Sequence, residues 1–416
     1  MLVRARTHRG SVVVLIFIVS KLSRYSIALA ALPLGLAVDA CGQSGLLQNH
    51  FERKLSPREA WQSAGPVDFS VRMAGTTTHD DNITITSGAP LKDFIFNATP
   101  GFTVSTGDYY ERANSFLIVD YSPNFQFFRR YSQNNAINHE ADVTGQYHFS
   151  KLTFGLTHRF EKVTEGVVDV GSRVERTVNT TEFKTNYRLA KKTTLDVNLK
   201  QTLTDYPLVT ARQWENEDYV NYEVFRRTTL GVGGKLGYLQ VKNQHQQTFE
   251  QALAKVQYKL SGKTELSASF GPEWRQFGNG VTRDLRPVGS LGLYYAPQDN
   301  TRVTVGMNRT EEVSVSLLGQ NYTATSLGAR VFQKVFTKGV ITVGGGYQRL
   351  GFHASGLAAP PARRDDDYWY GIAGFDWNFD RHWTAGVLYQ HRENVSSLSQ
   401  FAFLNNQISV QASARF

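Results

Sequence analysis

The sequence predicts an all-β chain: a transmembrane antiparallel up-and-down β-barrel of about 18 strands, with 16 as the alternative count. Three observations predict it. From Val67 onward apolar and polar residues alternate with a period of two, the pattern of strands with one apolar face. Short polar turns recur near Gly107, Ser150, Ala190, Arg226, Ser261, Pro297, Thr337 and Asp380, at spacings of 43, 40, 36, 35, 36, 40 and 43 residues. The alternation also runs into the last residue. Ile408, Val410, Ala412, Ala414 and Phe416 share one face, and Ser409, Gln411, Ser413 and Arg415 the other. Chain ends ordinarily fray. A sheet edge facing lipid has no water to bond, so the last strand of a barrel must pair with the first.

The 416 residues carry a formal charge of +9, with 12% aromatic and 19% charged residues. A basic balance can point to nucleic acid, but here the cations are scattered and interleaved with acids, so nucleic acid is excluded as a partner. The single cysteine, Cys41, excludes an intrachain disulfide and a cysteine-rich metal site. Residues 1–42 read as a signal peptide. Of its two apolar runs, Val12–Val19 and Ile27–Val38, neither reaches the ~20 residues of a spanning helix. Lys21 and Arg24 precede the second run and small residues follow it, so Ser20–Ala40 is the expected signal, with the true start downstream of Met1. Asp39 sits badly in a lipidation box, so Cys41 reads as a signal-peptide residue. Residues 43–66 form a polar periplasmic lead-in, and residues 67–416 the barrel.

Within the barrel the hairpins resemble one another. "YRLAKKTTL", "YEVFRRTTL", "YKLSGKTEL" and, more loosely, "FDWNFDRHW" each place an aromatic eight residues before an apolar residue: Tyr187 and Leu195, Tyr222 and Leu230, Tyr258 and Leu266, Phe375 and Trp383. The unit is one strand down, a short turn, and one strand back. Eight turns join sixteen strands. Val67–Thr78 and Phe401–Phe416 add one at each end. Both termini fall on the short-turn side, and the connections opposite are longer, as at Arg349–Tyr368. Tyr187, Tyr222, Tyr258, Phe375 and Trp383 are the expected interfacial aromatic girdle.

A barrel this wide cannot be filled by its own side chains, so an aqueous channel is expected. With apolar residues outward, the inward set holds Lys184, Arg188, Lys200, Lys235, Lys255, Lys259, Arg275, Arg302, Arg330 and Arg415. The inward acids are fewer: Glu182, Asp196, Glu265, Glu273, Asp376 and Asp380. Lys184, Lys200, Lys235 and Lys255 stand at similar distances from their turns and form a partial basic ring, whose field favours anions or acidic sugars. The competing expectation is that each cation meets a cross-strand acid and the lumen is nearly neutral.

No motif for catalysis, cofactor or metal survives inspection. "SGKT" (Ser261–Thr264) lacks the upstream glycine of a phosphate loop and has no helix after it, so it is a hairpin turn. The runs "LGVGGKLG" and "VGGGY" lie inside strands, where glycine suits curvature. Asp80-Asp81 and Asp365–Asp367 read as solvated loops in preference to divalent-cation sites shared with lipopolysaccharide. His139, His148, His158, His382 and His391 lie in or beside strands, without metal-ligand spacing and with no serine and acid assigned to them. The classes kept open beside a pore are an outer-membrane barrel enzyme, a protease or lipid hydrolase, and a structural or adhesion barrel.

The stretch "AGTTTHDDNITITSG" (Ala74–Gly88), together with the repeated hairpins over Val67–Phe416, resembles the beta-barrel porin 2 family. That resemblance implies a bacterial outer-membrane pore, often associated with exopolysaccharide, with outer-membrane lipid, lipopolysaccharide and polysaccharide-export components as partners. It carries over no catalytic residues. The terminal outward Phe416 likewise resembles the C-terminal signal that the barrel-assembly machinery reads. The resulting expectation is a non-enzymatic pore of the cell outer membrane, passive or serving polysaccharide export, with a net basic lumen.

Overall fold

The structure, a computed structural model, describes residues 62–416 apart from 108, 110–113, 208, 243, 245, 279–282, 318 and 355–362. The signal peptide, Cys41 and most of the lead-in therefore lie outside the described residues. The strands in chain order are β1 (Gln62–Ala64), β2 (Val67–Asp80), β3 (Asp93–Gly107), β4 (Phe116–Phe128), β5 (Ala136–His148), β6 (Leu152–Val167) and β7 (Ser172–Arg188). Next come β8 (Thr193–Asp205), β9 (Thr210–Phe225), β10 (Thr228–Val241), β11 (Gln247–Ser261), β12 (Thr264–Phe277) and β13 (Arg283–Gln298). The last are β14 (Thr301–Val313), β15 (Gln320–Val335), β16 (Gly339–Ala354), β17 (Asp365–Asn378), β18 (Trp383–Ser396) and β19 (Phe403–Arg415).

Each strand from β2 to β19 pairs antiparallel with the next, and β19 pairs back onto β2, so eighteen strands close into a barrel. The three residues of β1, at the end of the lead-in, pair with the start of β2, Gln62 against Phe69. The closing seam explains the terminal pattern. Val410 lies opposite Thr77 and Ala414 opposite Met73. The Val71 N–H donates to the Phe416 carbonyl and the Phe416 N–H to the Val71 carbonyl, both at 2.8 Å. The final residue is thus the last rung of the ladder. Its ring stacks on His382 at 5.5 Å and meets the edge of Trp383 at 6.4 Å.

Alternation places side chains as the pleat requires. Outward apolar residues such as Val71, Phe102, Leu199, Val232, Leu327 and Val410 are exposed. Tyr187, Tyr222, Tyr258, Phe375 and Trp383 are also outward and exposed, close to the short turns. A second outward aromatic tier, including Phe96, Phe127, Trp214, Tyr238 and Trp369, lies toward the other end. On β9, Tyr222 and Trp214 are eight residues apart. At ~3.3 Å per residue that is ~26 Å along the strand, or ~20 Å along the axis of a barrel whose strands tilt by ~40°. An apolar wall between two aromatic tiers, closed so that no edge remains, is the form in which a β-chain spans a bilayer.

Three sequence expectations need correction. The connection after Gly107 is not a short turn, because β4 begins only at Phe116. The opposite end is not uniformly long-looped, since β6–β7 and β8–β9 each turn within four residues. Asp380 does not face the lumen. Its carboxylate accepts the N–H groups of His382 (2.7 Å) and Trp383 (2.8 Å) and closes the β17–β18 turn, and these donors hold it below the usual carboxylate range.

Closure is testable by truncation. Deleting Phe403–Phe416 leaves β18 and β2 as open edges, so the truncated chain should give no heat-modifiable band on gels. A band like that of the full chain would show that pairing of β19 with β2 is dispensable.

Candidate functional site: inward loops above a wall of paired charges

At the long-loop end, segments from opposite sides of the ring meet inside the barrel. Ile85, from the β2–β3 loop, and Val168, from the β6–β7 turn, pack against Tyr322, Ala324, Leu350, Phe352, Tyr368 and Phe403. On an eighteen-strand ring, β6–β7 and β15–β16 are nearly diametrically opposed, so the turn reaches across the lumen. Arg364, fully buried, fastens it there. Its guanidinium donates to the carbonyls of Val168 (3.1 Å) and Asp169 (2.7 Å), to Ser316 Oγ (3.2 Å) and to both oxygens of Asp366 (2.5 Å to Oδ2 and 3.1 Å to Oδ1). It also lies over the rings of Phe401 (3.5 Å) and Phe352 (4.3 Å). Five planar donors and two usable faces make arginine the side chain for such a junction. Asp169 accepts in turn from Ser314 Oγ (3.0 Å), Ser316 Oγ (2.7 Å) and the Val315 N–H (2.7 Å). Gly171 closes the turn with φ +67°, and a Cβ there would stand 2.8 Å from the Phe401 ring.

Of the acidic stretches expected in solvated loops, Asp80 and Asp366 are buried in this junction, whereas Asp365 stays exposed. Asp366 is fully buried on Arg364. Asp80, also buried, accepts from Asn405 Nδ2 (2.5 Å), Gln407 Nε2 (2.7 Å) and the Asn82 N–H (2.8 Å), while Arg392 Nε holds Asn405 Oδ1 at 2.9 Å. Asp81 takes the Asn406 N–H at 2.7 Å. The loops fold inward and dry Asp80 and Asp366, and a dried carboxylate needs such donors.

A second inward element was not legible in the strand pattern. β13 pairs with β14 only as far as Gly289 opposite Arg309, although β13 continues to Arg283 against β12 and β14 to Val313 against β15. Beyond Arg309, β14 turns into the lumen and crosses the inner face of β10–β12. There Arg275 donates to the Glu311 carbonyl (3.3 Å), Gln247 and Asn321 exchange bonds of 3.1 and 2.9 Å, and Val313 and Val315 pack on Val209, Leu239 and Val241. At the point of departure stands Pro287, which has no N–H to leave unpaired. Its carbonyl accepts from Arg309 Nε at 3.0 Å.

The sequence-assigned lumen cations all lie on inward positions, but they do not form an uncompensated ring. Lys184 pairs with Glu182 (2.8 Å), Lys255 with Asp196 (3.5 Å) and Lys259 with Glu265 (3.9 Å). Glu215 sits between Lys235 (2.5 Å) and Lys200 (3.8 Å), and Glu217 stands 3.8 Å from Lys235. Arg275 pairs with Glu273 at 2.8 Å and is covered by the β14–β15 hairpin, so it does not line open lumen. Further inward pairs are Arg72–Asp120 (2.6 Å), Arg159–Asp142 (3.1 Å) and Arg176–Glu165 (2.7 Å). Among the described residues Arg302 and Arg330 make no ion pair; they stand on the inner face of adjacent β14 and β15, where Thr304 opposes Arg330 and Arg302 opposes Phe332. Glu215 and Glu217 escaped the sequence reading because "RQWENED" is polar on both faces. Counting back by twos from Tyr222 and Val220 would have put both inward.

The histidines are dispersed. His139 bonds Tyr121, His148 bonds Thr153, His158 bonds Thr181, His391 bonds Asn406 and His382 bonds the Arg415 carbonyl, at 2.8–2.9 Å. Among the described residues no group of acids and histidines has metal-holding geometry.

No family model matches the chain, and no curated protein matches it. The beta-barrel porin 2 resemblance therefore rests on the residues quoted for it. Solved structures similar to the chain include the outer-membrane protein OpdK of Pseudomonas aeruginosa, at 13% identity over 84% of this chain and 98% of that one, TM-score 0.41. OccK2 (OpdF) of the same organism, in complex with glucuronate, is 11% identical over 84% and 98%, TM-score 0.44. OpdO of that organism is 11% identical over 84% and 97%, TM-score 0.44. The fold itself is carried by the strand pairing described above.

Replacing Arg364 by Met removes the junction and leaves Asp366 and Asp169 buried without their cation, a change that costs ~3–5 kcal/mol where a buried pair is broken. In a planar bilayer the variant should show larger or more frequent open events than the parent protein. Unchanged conductance would mean that the mouth is not held by Arg364.

Proposed function

We propose that the protein is a channel of the bacterial outer membrane that passes small polar solutes along a wall of alternating charge. The carrying observation is the inner surface of the eighteen-strand barrel. Acids and cations alternate around β5–β12, close enough to pair yet partly exposed to the lumen, as with Lys200, Lys184 and Arg159. Such a wall offers a charged or zwitterionic solute successive exchangeable partners without a deep trap, which conduction requires. The excess of positive field comes from the inward arginines with no acid in pairing distance among the described residues, Arg302 and Arg330 on adjacent strands and Arg188 and Arg415 near the short turns, not from the four lysines, because the acids beside those lysines screen them. A mild preference for anions follows. Polysaccharide export stays an implication of the family resemblance, and no feature of the wall favours a polymer over a small solute. Lipid and lipopolysaccharide contact the outward apolar belt in this reading.

Single channels in a planar bilayer under a KCl gradient test the proposal. The parent protein should conduct with a reversal potential on the anion side, and changing Arg302 and Arg330 together to Glu should move it toward cations. An unmoved potential would show that this pair does not set the field, and absence of conductance from folded protein would remove the channel reading.

The terminal Phe416 is read as the assembly signal. Its backbone pairing with Val71 does not depend on its side chain. Phe416→Ser should therefore refold from urea into detergent as the parent does, yet accumulate in cell membranes at a much lower level. Equal accumulation in cells would make Phe416 one outward aromatic among many.

A further inference from the structure

The outer wall of β6–β9 breaks the apolar belt at mid-depth. On β9, Asp218 lies on the outward face with Trp214 and Val220, four residues from Trp214 and four from the girdle residue Tyr222. That is ~13 Å of strand to either aromatic tier. Its carboxylate accepts from Asn216 Nδ2 at 2.9 Å, and Asn216 is outward too. Among the described residues no cation pairs with Asp218. On β6, outward His158 bonds outward Thr181 of β7 at 2.9 Å. Asp218, Thr181 and His158 stand eight, eight and seven residues from their short turns, so they share one height. At that height β18, β19 and β2 present Tyr389, Ile408 and Gly75 instead. An ionisable side chain at the centre of the hydrocarbon is costly, and where one persists it faces protein, water or a partner charge.

Resting on the reading of the barrel as membrane-spanning, we propose that this face packs against a second copy of the chain, with His158 of each copy meeting Asp218 of the other. The chemistry is self-complementary: a histidine donor on β6 and a carboxylate acceptor on β9. A two-fold axis parallel to the barrel axis and passing over β7–β8 exchanges β6 of one copy with β9 of the other at equal height. That axis keeps both copies upright in the membrane, and an isologous contact of this kind closes after two subunits. Asp218 is paired across the sheet with Gly234, which in turn opposes Ala252. These small residues leave room beside the carboxylate for a neighbouring side chain, and among the described residues the Asp218 carboxylate has only Asn216 as its side-chain partner.

Cysteine cross-linking tests the geometry. With Cys41 changed to Ser, the double variant His158→Cys, Asp218→Cys is purified from membranes and oxidised. Within one copy the two positions are three strands, ~14 Å, apart, beyond the ~7 Å reach of a disulfide. A band of twice the chain mass is therefore expected from the double variant, at least tenfold stronger than from either single variant, because the two-fold separates 158 from 158 and 218 from 218. Equal cross-linking of single and double variants, no cross-link, or a product of another mass would overturn the proposal. As a second measurement, Asp218→Leu should raise the dimer dissociation constant in detergent at least tenfold by light scattering. An unchanged mass distribution would overturn the proposal, even though the substitution makes the belt more apolar. Recovery of the parent protein from the soluble fraction would overturn the membrane reading itself.

Discussion

The buried guanidinium of Arg364 is the interaction on which the arrangement of the mouth depends. The β-ladder fixes neighbouring strands to one another, but nothing in it holds a turn from one side of the ring against loops from the other. Arg364 does so because it can satisfy carbonyls from 168 and 169, a hydroxyl at 316 and a carboxylate at 366 at once, while it lies over the rings of Phe401 and Phe352. A buried cation is expensive unless every donor is matched. That requirement makes the assembly cooperative: remove one contributing segment and the charge is stranded.

The inner wall obeys a milder version of the same constraint. Its ion pairs are partly wet, so each contributes little to stability, and their importance lies in the field they leave. Glu215 between Lys200 and Lys235 converts what would be a basic stretch into a nearly neutral one. Arg302 and Arg330 lie on strands whose inner faces offer them no acid within pairing distance among the described residues. The field of the lumen is thus decided by where acids are missing, not by where cations are present.

The β13–β14 divergence shows how a barrel wall gives up pairing without exposing polar backbone. A strand edge in lipid must be satisfied internally. Pro287 removes one donor from the edge, and the Arg309 side chain supplies a bond to the carbonyl that remains. The β14–β15 hairpin so released places Glu311, Val313 and Asn321 on the inside of β10–β12, where they cover Arg275 and Gln247. One local exception in the ladder therefore reshapes the lumen.

Strand number, closure, facing and the terminal rung were legible in the linear chain because all depend on a period of two and on turn spacing, both local properties. Val410 and Phe416 lie outward and Ser409 and Gln411 inward for the same reason that they alternate. The fate of the charges was not legible in this way. Whether Lys235 meets Glu215, whether Asp366 is solvated or buried on Arg364, and whether Arg275 faces water or a folded-in hairpin all depend on residues tens to hundreds of positions apart. The sequence by itself determined the facing of residues within the strands, because pleating ties facing to parity. Only the tertiary structure decided which charges neutralise one another and which loops meet inside the barrel, because those outcomes depend on strand register around the ring and on the desolvation of groups that no local pattern brings together.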